Sequence, residues 1–508
     1  MVQRTNKKCK QKTRQVRKTK QNQKTKQKRK TRQKRKTRKN KGGTLIPTPM
    51  PMAQNMDLPK TNQLSQLNIP VETRQKSFMQ KMCPNNNSCL ALGEYTTMSN
   101  AYFDDMNFKY AVNPITAVGA NSINGFIRRV VLTKNDYSTT TMLKSSKSAS
   151  SDNLMYEYLV GLFINKYNSI FPCFLQTYAC YQYQNEEQYT KFSENKQTSD
   201  DLNALIPLYS YKQKDNQQTV TNLVTQSCEQ PKYTCISIQY FENPISIDDL
   251  LGLFYKDNYF CKVELIQLLL QIYIPLGMMA SEFTHNDLHA NNVLIYTIPN
   301  NKYITMKYTT PFGNVTFKTR YVCKIIDYGR CYFKDNRMSS EKIREDLCKN
   351  PKCGKKCEDT DICHNGLDDT NCGVKRGFGF IDTSVGAHNY NMSAIKNNSG
   401  KDLWLMQIIK EDHVKYMSRS TSNVNVTNLI NSVMGGPQDF GLPPSFSETY
   451  PDKILNVVDF MQKAIVCFNK LLPDIDELQL VKLSRMSNYG TIEINAITNT
   501  DYTFSKSQ

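Results

Sequence analysis

Among 508 residues the chain has one Trp and five His. Its first 41 residues contain no Asp or Glu, and almost no apolar side chain beyond Val2 and Val16. A segment so composed cannot bury a core and is expected to be disordered. It also lacks the apolar face of a mitochondrial presequence, and no secretory signal peptide is recognisable. The longest apolar run, Val263–Ala280, is interrupted by Glu264, Gln267, Gln271 and Pro275. It reads as a buried helix rather than a membrane span, so a soluble protein of the cell interior is expected. The 16 Cys are scattered, and most are expected to be reduced thiols. No internal repeat is visible.

What is present is unevenly distributed. The formal net charge is +21, and residues 1–41 hold 21 of the 66 Lys and Arg. The remainder therefore carries 66 − 21 = 45 basic residues against 45 acidic ones and is neutral. The polybasic tail 1–41 has the composition to neutralise phosphates on nucleic acid or another polyanion, or to act as a nuclear address. Residues 42–94, rich in Pro, Met, Gln and Asn, read as a linker. The remaining residues suffice for one two-part catalytic domain with insertions.

The chemistry-bearing signal is the stretch His285-Asn286-Asp287-Leu288-His289-Ala290-Asn291-Asn292, followed downstream by Ile325-Ile326-Asp327-Tyr328-Gly329. Phosphoryl transfer needs one acceptor to orient the attacking hydroxyl and two oxygen ligands to hold magnesium against the phosphates. Asp287 followed five residues later by Asn292, with His285 two before it, is the pattern of a kinase catalytic loop. The later Asp-aromatic-Gly is its metal-binding partner.

On these motifs the chain resembles the protein-kinase-like superfamily, and in particular the divergent kinase-like proteins of large nucleocytoplasmic DNA viruses. The likeness covers roughly residues 95 to 410 and is sharpest between Phe283 and Phe333. It implies an α+β, bilobal protein-kinase-like fold: a small β-rich lobe over residues 95–243, with a polar insertion at 182–232, and a larger, mostly helical lobe over 244–508. It also implies ATP and Mg2+ as cofactors and a protein Ser or Thr hydroxyl as acceptor. The expected location is the cytoplasm of an infected host cell, with the virion, or the nucleus through the basic tail, as further settings. Ordinary protein kinases carry a Lys two residues after the catalytic Asp, where this chain has His289. The string "HNDLHANNVLI" is closer to the loops of atypical and small-molecule kinases. Small-molecule phosphorylation is therefore an alternative, as is a catalytically weak virion or scaffold protein tethered to nucleic acid by its tail.

In this frame Asp287 orients the acceptor, and Asn292 and Asp327 hold the metal. His285 braces the loop by hydrogen bonding, and His289 faces the γ-phosphate. Strands are expected at Ile115–Val118 and Phe126–Leu132, with Gly119 and Gly125 bounding a turn that approaches nucleotide phosphates. A further strand ends at Lys144, the expected phosphate-binding lysine, with Lys147 and Lys134 as alternatives. Its partner is Glu157, on a helix that Asp152 would cap. Helices are expected at Ser246–Leu253, Cys261–Glu282 and near Ile454–Leu472, and an extended hairpin between Tyr296 and Val322. Asp402-Leu403-Trp404 is similar to the Asp-x-Trp that buttresses the catalytic loop, with Trp404 expected in the core. Finally, Cys348, Cys353, Cys357, Cys363, His364 and Cys372 form a cluster (348–372) from which four ligands could gather structural Zn2+. A disulfide-stabilised loop, or no bridging at all, are the other readings.

Overall fold

The computed structural model describes residues 71–82, 92–119, 125–148, 151, 153–210, 217–255, 257–298, 301–350, 352–353, 397–414, 424–434 and 453–507. These belong to one compact unit, Ile69–Gln508. The architecture is mixed α+β with several antiparallel sheets.

Two helices lead in: α1 (Val71–Met82) and α2 (Glu94–Tyr102). Residues 71–82 thus depart from the expected linker. They are helical because Met79 is fully buried and Glu72 pairs with Lys134 at 2.9 Å, contacts that a mostly polar segment does not announce. Strands β1 (Ala111–Ala117), β2 (Gly125–Lys134) and β3 (Tyr137–Ser146) follow as an antiparallel meander. Asn135 and Asp136, at φ 47° and 61°, make the tight β2–β3 turn, whose left-handed backbone suits the twist of the strands. Helix α3 (Leu154–Asn168) starts at Asn153, whose side chain accepts from the N–H groups of Met155 and Tyr156. Asn153, not Asp152, is therefore the cap; Asp152 lies outside the described residues.

Next come β4 (Thr177–Gln182), α4 (Glu186–Ser193), α5 (Ser199–Asn203), β5 (Ile206–Ser210), α6 (Gln217–Glu229) and β6 (Thr234–Gln239). The sheet order is β1-β2-β3-β6-β4-β5. The segment expected as a polar insertion therefore contributes an edge strand and packed helices. Tyr189, Phe192, Leu202 and Val224 are buried, an apolar spacing that the surrounding Gln, Glu and Lys dilute. The Arg128 side chain, 1% exposed, donates from Nε to the Phe192 carbonyl at 2.8 Å and from an NH2 group to that of Ser193 at 3.0 Å, and so tethers α4 to the sheet.

Beyond β7 (Ile245–Ser246) and α7 (Ile247–Phe254), a π-turn at Phe260–Glu264 runs into α8 (Leu265–Met278). The Phe260–Met278 helix is long and apolar enough to cross a membrane, yet 94% of its apolar window is buried inside the protein. It packs against a later helix, with Tyr273 and Phe460 rings 4.4 Å apart. Strand β8 (Phe283–Thr284) precedes the His285–Asn292 loop, β9 (Val293–Thr297) follows it, and β10 (Lys302–Thr310) and β11 (Gly313–Thr319) form the expected hairpin. Strand β12 (Tyr321–Ile325) returns antiparallel to β9 and delivers Asp327. Strand β13 (Tyr332–Phe333) pairs with β8. The described remainder comprises α9 (Ser340–Lys349), α10 (Trp404–Ile409), α11 (Val424–Asn431), α12 (Val457–Leu483), β14 (Ser487–Asn495) and β15 (Thr503–Lys506). Strand β14 lies parallel to β10, a pairing the sequence does not suggest.

Candidate active site

The loop and the β12 terminus are joined by direct hydrogen bonds. Because β9 and β12 are in register (Val293 opposite Ile325), the residues flanking them are held side by side. The Ile326 N–H donates to the Asn292 carbonyl at 3.0 Å, and His285 Nε2 meets the Ile326 carbonyl at 2.9 Å. A carbonyl only accepts, so Nε2 carries the proton. Burial holds the ring well below the ordinary histidine range, at about 4, so it stays neutral. A hydrogen bond of this kind is what the bracing expected of His285 would use.

Within the loop, Asn292 Nδ2 donates to the Asp287 carbonyl at 2.9 Å, an anchor that leaves the Asn292 side-chain oxygen for another partner. The Asp287 carboxylate, largely buried, lies 3.5 Å from an Arg330 guanidinium nitrogen. His289 Nδ1 accepts from the Asn291 N–H at 3.2 Å, which puts the ring proton on Nε2. Burial lowers the His289 pKa, so it acts as a neutral donor rather than a cation. Its ring stands edge-on to Trp404, with centroids 5.7 Å apart. Trp404 is half-buried beside the loop instead of sunk in the core.

Lys144 on β3 ties the two halves of the site together. Its ammonium donates to Glu157 of α3 at 2.7 and 2.8 Å and to Asp327 at 2.8 Å. Burial opposes the lysine charge, but the two carboxylates outweigh it and hold the ammonium above the ordinary lysine range. Burial likewise pushes Asp327 up, and Lys144 more than offsets this, so the carboxylate stays below its usual range. Of the three candidate lysines only Lys144 pairs with Glu157, while Lys134 is paired with Glu72 and Lys147 makes no ion pair among the described residues. Asn286 and Asp327 adopt left-handed backbone, φ 63° and 69°, which is uncommon for non-glycine residues and gathers at functional sites.

Gly119 (φ 66°) closes β1 and Gly125 opens β2, while the turn between them, 120–124, lies outside the described residues. Gly125 has a structural reason of its own. It faces Ser146 across the β2–β3 ladder, and a Cβ there would collide with the Ser145 carbonyl.

Arg330 and Lys401 escaped the sequence reading. Arg330 follows the Asp-Tyr-Gly triplet directly, a position that could have drawn attention to it. Lys401 is fully buried, and burial draws it down to about 8 against the opposing charges of Asp402 and Asp287. Cys353 is disulfide-bonded to Cys228 of α6 and so is not a thiolate ligand for Zn2+. The two lie 125 residues apart, which is why clustering in sequence did not show the pairing. Cys357, Cys363, His364 and Cys372, and the side chain of Cys348, lie outside the described residues.

Among the described residues no three His, Cys, Asp or Glu side chains are placed to hold a metal ion. Magnesium shared with nucleotide phosphates needs fewer protein ligands, one or two carboxylates being usual. Asp327 and the Asn292 amide oxygen are oxygen groups of the type such a site would use, and the 3.0 Å bond from the Ile326 N–H to the Asn292 carbonyl keeps the two backbones adjacent. The chain matches no protein-family description and no curated protein sequence.

Proposed function

We propose that the chain is a phosphotransferase of protein-kinase-like fold, moving the γ-phosphate of ATP to a hydroxyl, with Ser or Thr of proteins as the favoured acceptor. The six-stranded sheet with α3 corresponds to the smaller lobe of such a fold, and the assembly around α8 to the larger. The observation that carries the reading is Lys144, held by Glu157 at 2.7 Å and Asp327 at 2.8 Å. A half-buried lysine held by a helix carboxylate and by the acidic residue of an Asp-Tyr-Gly turn supports this reading, because a strand lysine so held can reach nucleotide phosphates.

In this mechanism Asp287 orients the acceptor hydroxyl and takes its proton as the oxygen bonds to phosphorus and the ADP oxygen leaves. Position matters more than basicity, because the transition state is loose. Lys144 neutralises phosphate oxygens, and Asp327 and Asn292 would hold magnesium, which supplies charge neutralisation at the phosphates. His289 offers a neutral Nε2–H to the transferred group. Arg330, with a guanidinium nitrogen 3.5 Å from the Asp287 carboxylate, would help to position it.

The test is incubation of the purified protein with γ-labelled ATP, magnesium and cell lysate, beside Asp287→Ala. Label on protein bands with the wild type alone is the expected result. Equal labelling by the variant overturns the roles assigned. A second reading, a small-molecule acceptor, is favoured by His289 standing where protein kinases carry a lysine; label in metabolites rather than proteins would select it.

A further inference from the structure

A cavity of about 470 Å³ lies among α2, the end of α3, the start of β4, the end of β6, β12 and the Asp501-Tyr502 turn. None of the site residues described above lines it. Its size suits a small ligand, and polar groups are set among a largely apolar lining.

Lys324 of β12 contributes to the lining while only 2% exposed. Its ammonium has one protein partner, the Phe174 carbonyl at 3.2 Å, and no carboxylate among the described residues pairs with it. An ammonium offers three donors, and a buried charge without a counter-ion is costly. Asn168, also lining, is 7% exposed and has no side-chain hydrogen-bond partner among the described residues. Two more lining amides, Asn100 and Gln176, have buried side-chain oxygens lacking a donor. Water could satisfy the amides, but it supplies no counter-charge for Lys324. Glu94, Asp105 and Asp501 bring carboxylates to the same lining, and Glu94 and Asp501 are exposed.

A cation in the buried wall with carboxylates at the exposed side disfavours a polyanion such as a second nucleotide. It disfavours a simple cation equally. We propose that this cavity binds a small zwitterion of the amino-acid class, its acid group on the Lys324 ammonium and its cationic group toward Glu94 and Asp501. The amides of Asn100, Asn168 and Gln176 take its remaining polar atoms. The site is independent of phosphoryl transfer, and no covalent step is involved.

Calorimetric titration and thermal unfolding of the full chain with glycine, β-alanine and γ-aminobutyrate test it, with acetate and n-propylamine as single-charge controls. At least one zwitterion should bind saturably, and the controls more weakly by roughly tenfold or more. Lys324→Met, which keeps the volume without the charge, should lose more than about tenfold in affinity. Asp501→Lys, on the exposed side, should weaken binding without disturbing the fold, and settles the matter should Lys324→Met unfold. Asp287→Ala should bind like the wild type, which separates this outcome from the fate of the phosphotransferase reading. Absence of binding by all three zwitterions overturns the proposal, as does wild-type affinity in the folded charge variants.

Discussion

Asp402 accepts the backbone N–H of His285 at 2.8 Å through one carboxylate oxygen and that of Asn286 at 2.9 Å through the other. The residue at the head of α10 thereby fixes the two residues that lead into Asp287. Asn at this position keeps one acceptor and sets an NH2 group against the second N–H. Asp402→Asn should therefore cost about 1–3 kcal/mol in urea unfolding and lower turnover without a matching change in nucleotide affinity.

Burial raises Asp402 from its ordinary 3.8 to about 7. Its acid form is thus favoured in the folded state, and the stability it contributes is lost as pH rises through about 7. His285 has the opposite sign. Its folded value of about 4 lies below the ordinary 6.5, so stability falls as pH drops from 6.5 toward 4. His285→Gln, which keeps a donor for the Ile326 carbonyl, should flatten the acid limb of a stability-pH profile. Asp402→Asn should flatten the limb that approaches neutrality.

Removing Lys144 leaves Glu157 buried without its counter-charge, since the Glu157 side chain is only 4% exposed. Lys144→Met should destabilise by about 3–5 kcal/mol, and Lys144→Met with Glu157→Gln should recover most of that. Neither protein should transfer phosphate. Denaturant midpoints and labelled-ATP assays on the pair separate the electrostatic cost from the catalytic one.

The Cys228–Cys353 bond ties α6 to the turn after α9, where Thr221 also donates to Asp346 at 2.9 Å. Reduction, or Cys228→Ser, should lower stability by about 2–4 kcal/mol. Thiol titration of the unreduced, denatured protein should find two fewer reactive thiols than after reduction, if this bond is the only one.

Deleting residues 1–41 removes 21 basic side chains. Affinity for DNA or another polyanion should fall, and the dependence of the remaining binding on salt should become shallower. Unchanged salt dependence in a filter-binding or anisotropy titration would rule out the tail as the polyanion contact.

Much of the site is legible in the sequence because it rests on short-range patterns. Asp287 to Asn292 is a single loop, and the run before Asp327 is a β-branched strand whose register with β9 is set by the hairpin between them. Lys144 and Glu157 are readable from their order around a strand and a helix. The misses share a physical cause: their partners are distant in the chain. Met79 packs only once the sheet exists, and Cys228 meets Cys353 only after α6 lies against α9. Lys324 looks like an ordinary surface lysine until β12 is seen to be covered on both faces. Trp404, expected in the core, is held half-open by its edge contact with His289.

The parallel pairing of β14 with β10 sets an order of assembly. Lys302 lies opposite Ser487 and Thr309 opposite Asn495, so β10 waits with an open edge until that late segment has left the ribosome. During synthesis the nascent hairpin is open to wrongful strand addition along that edge. Alternating Lys307 and Lys318 with apolar neighbours would help to keep foreign strands away until the rightful one arrives.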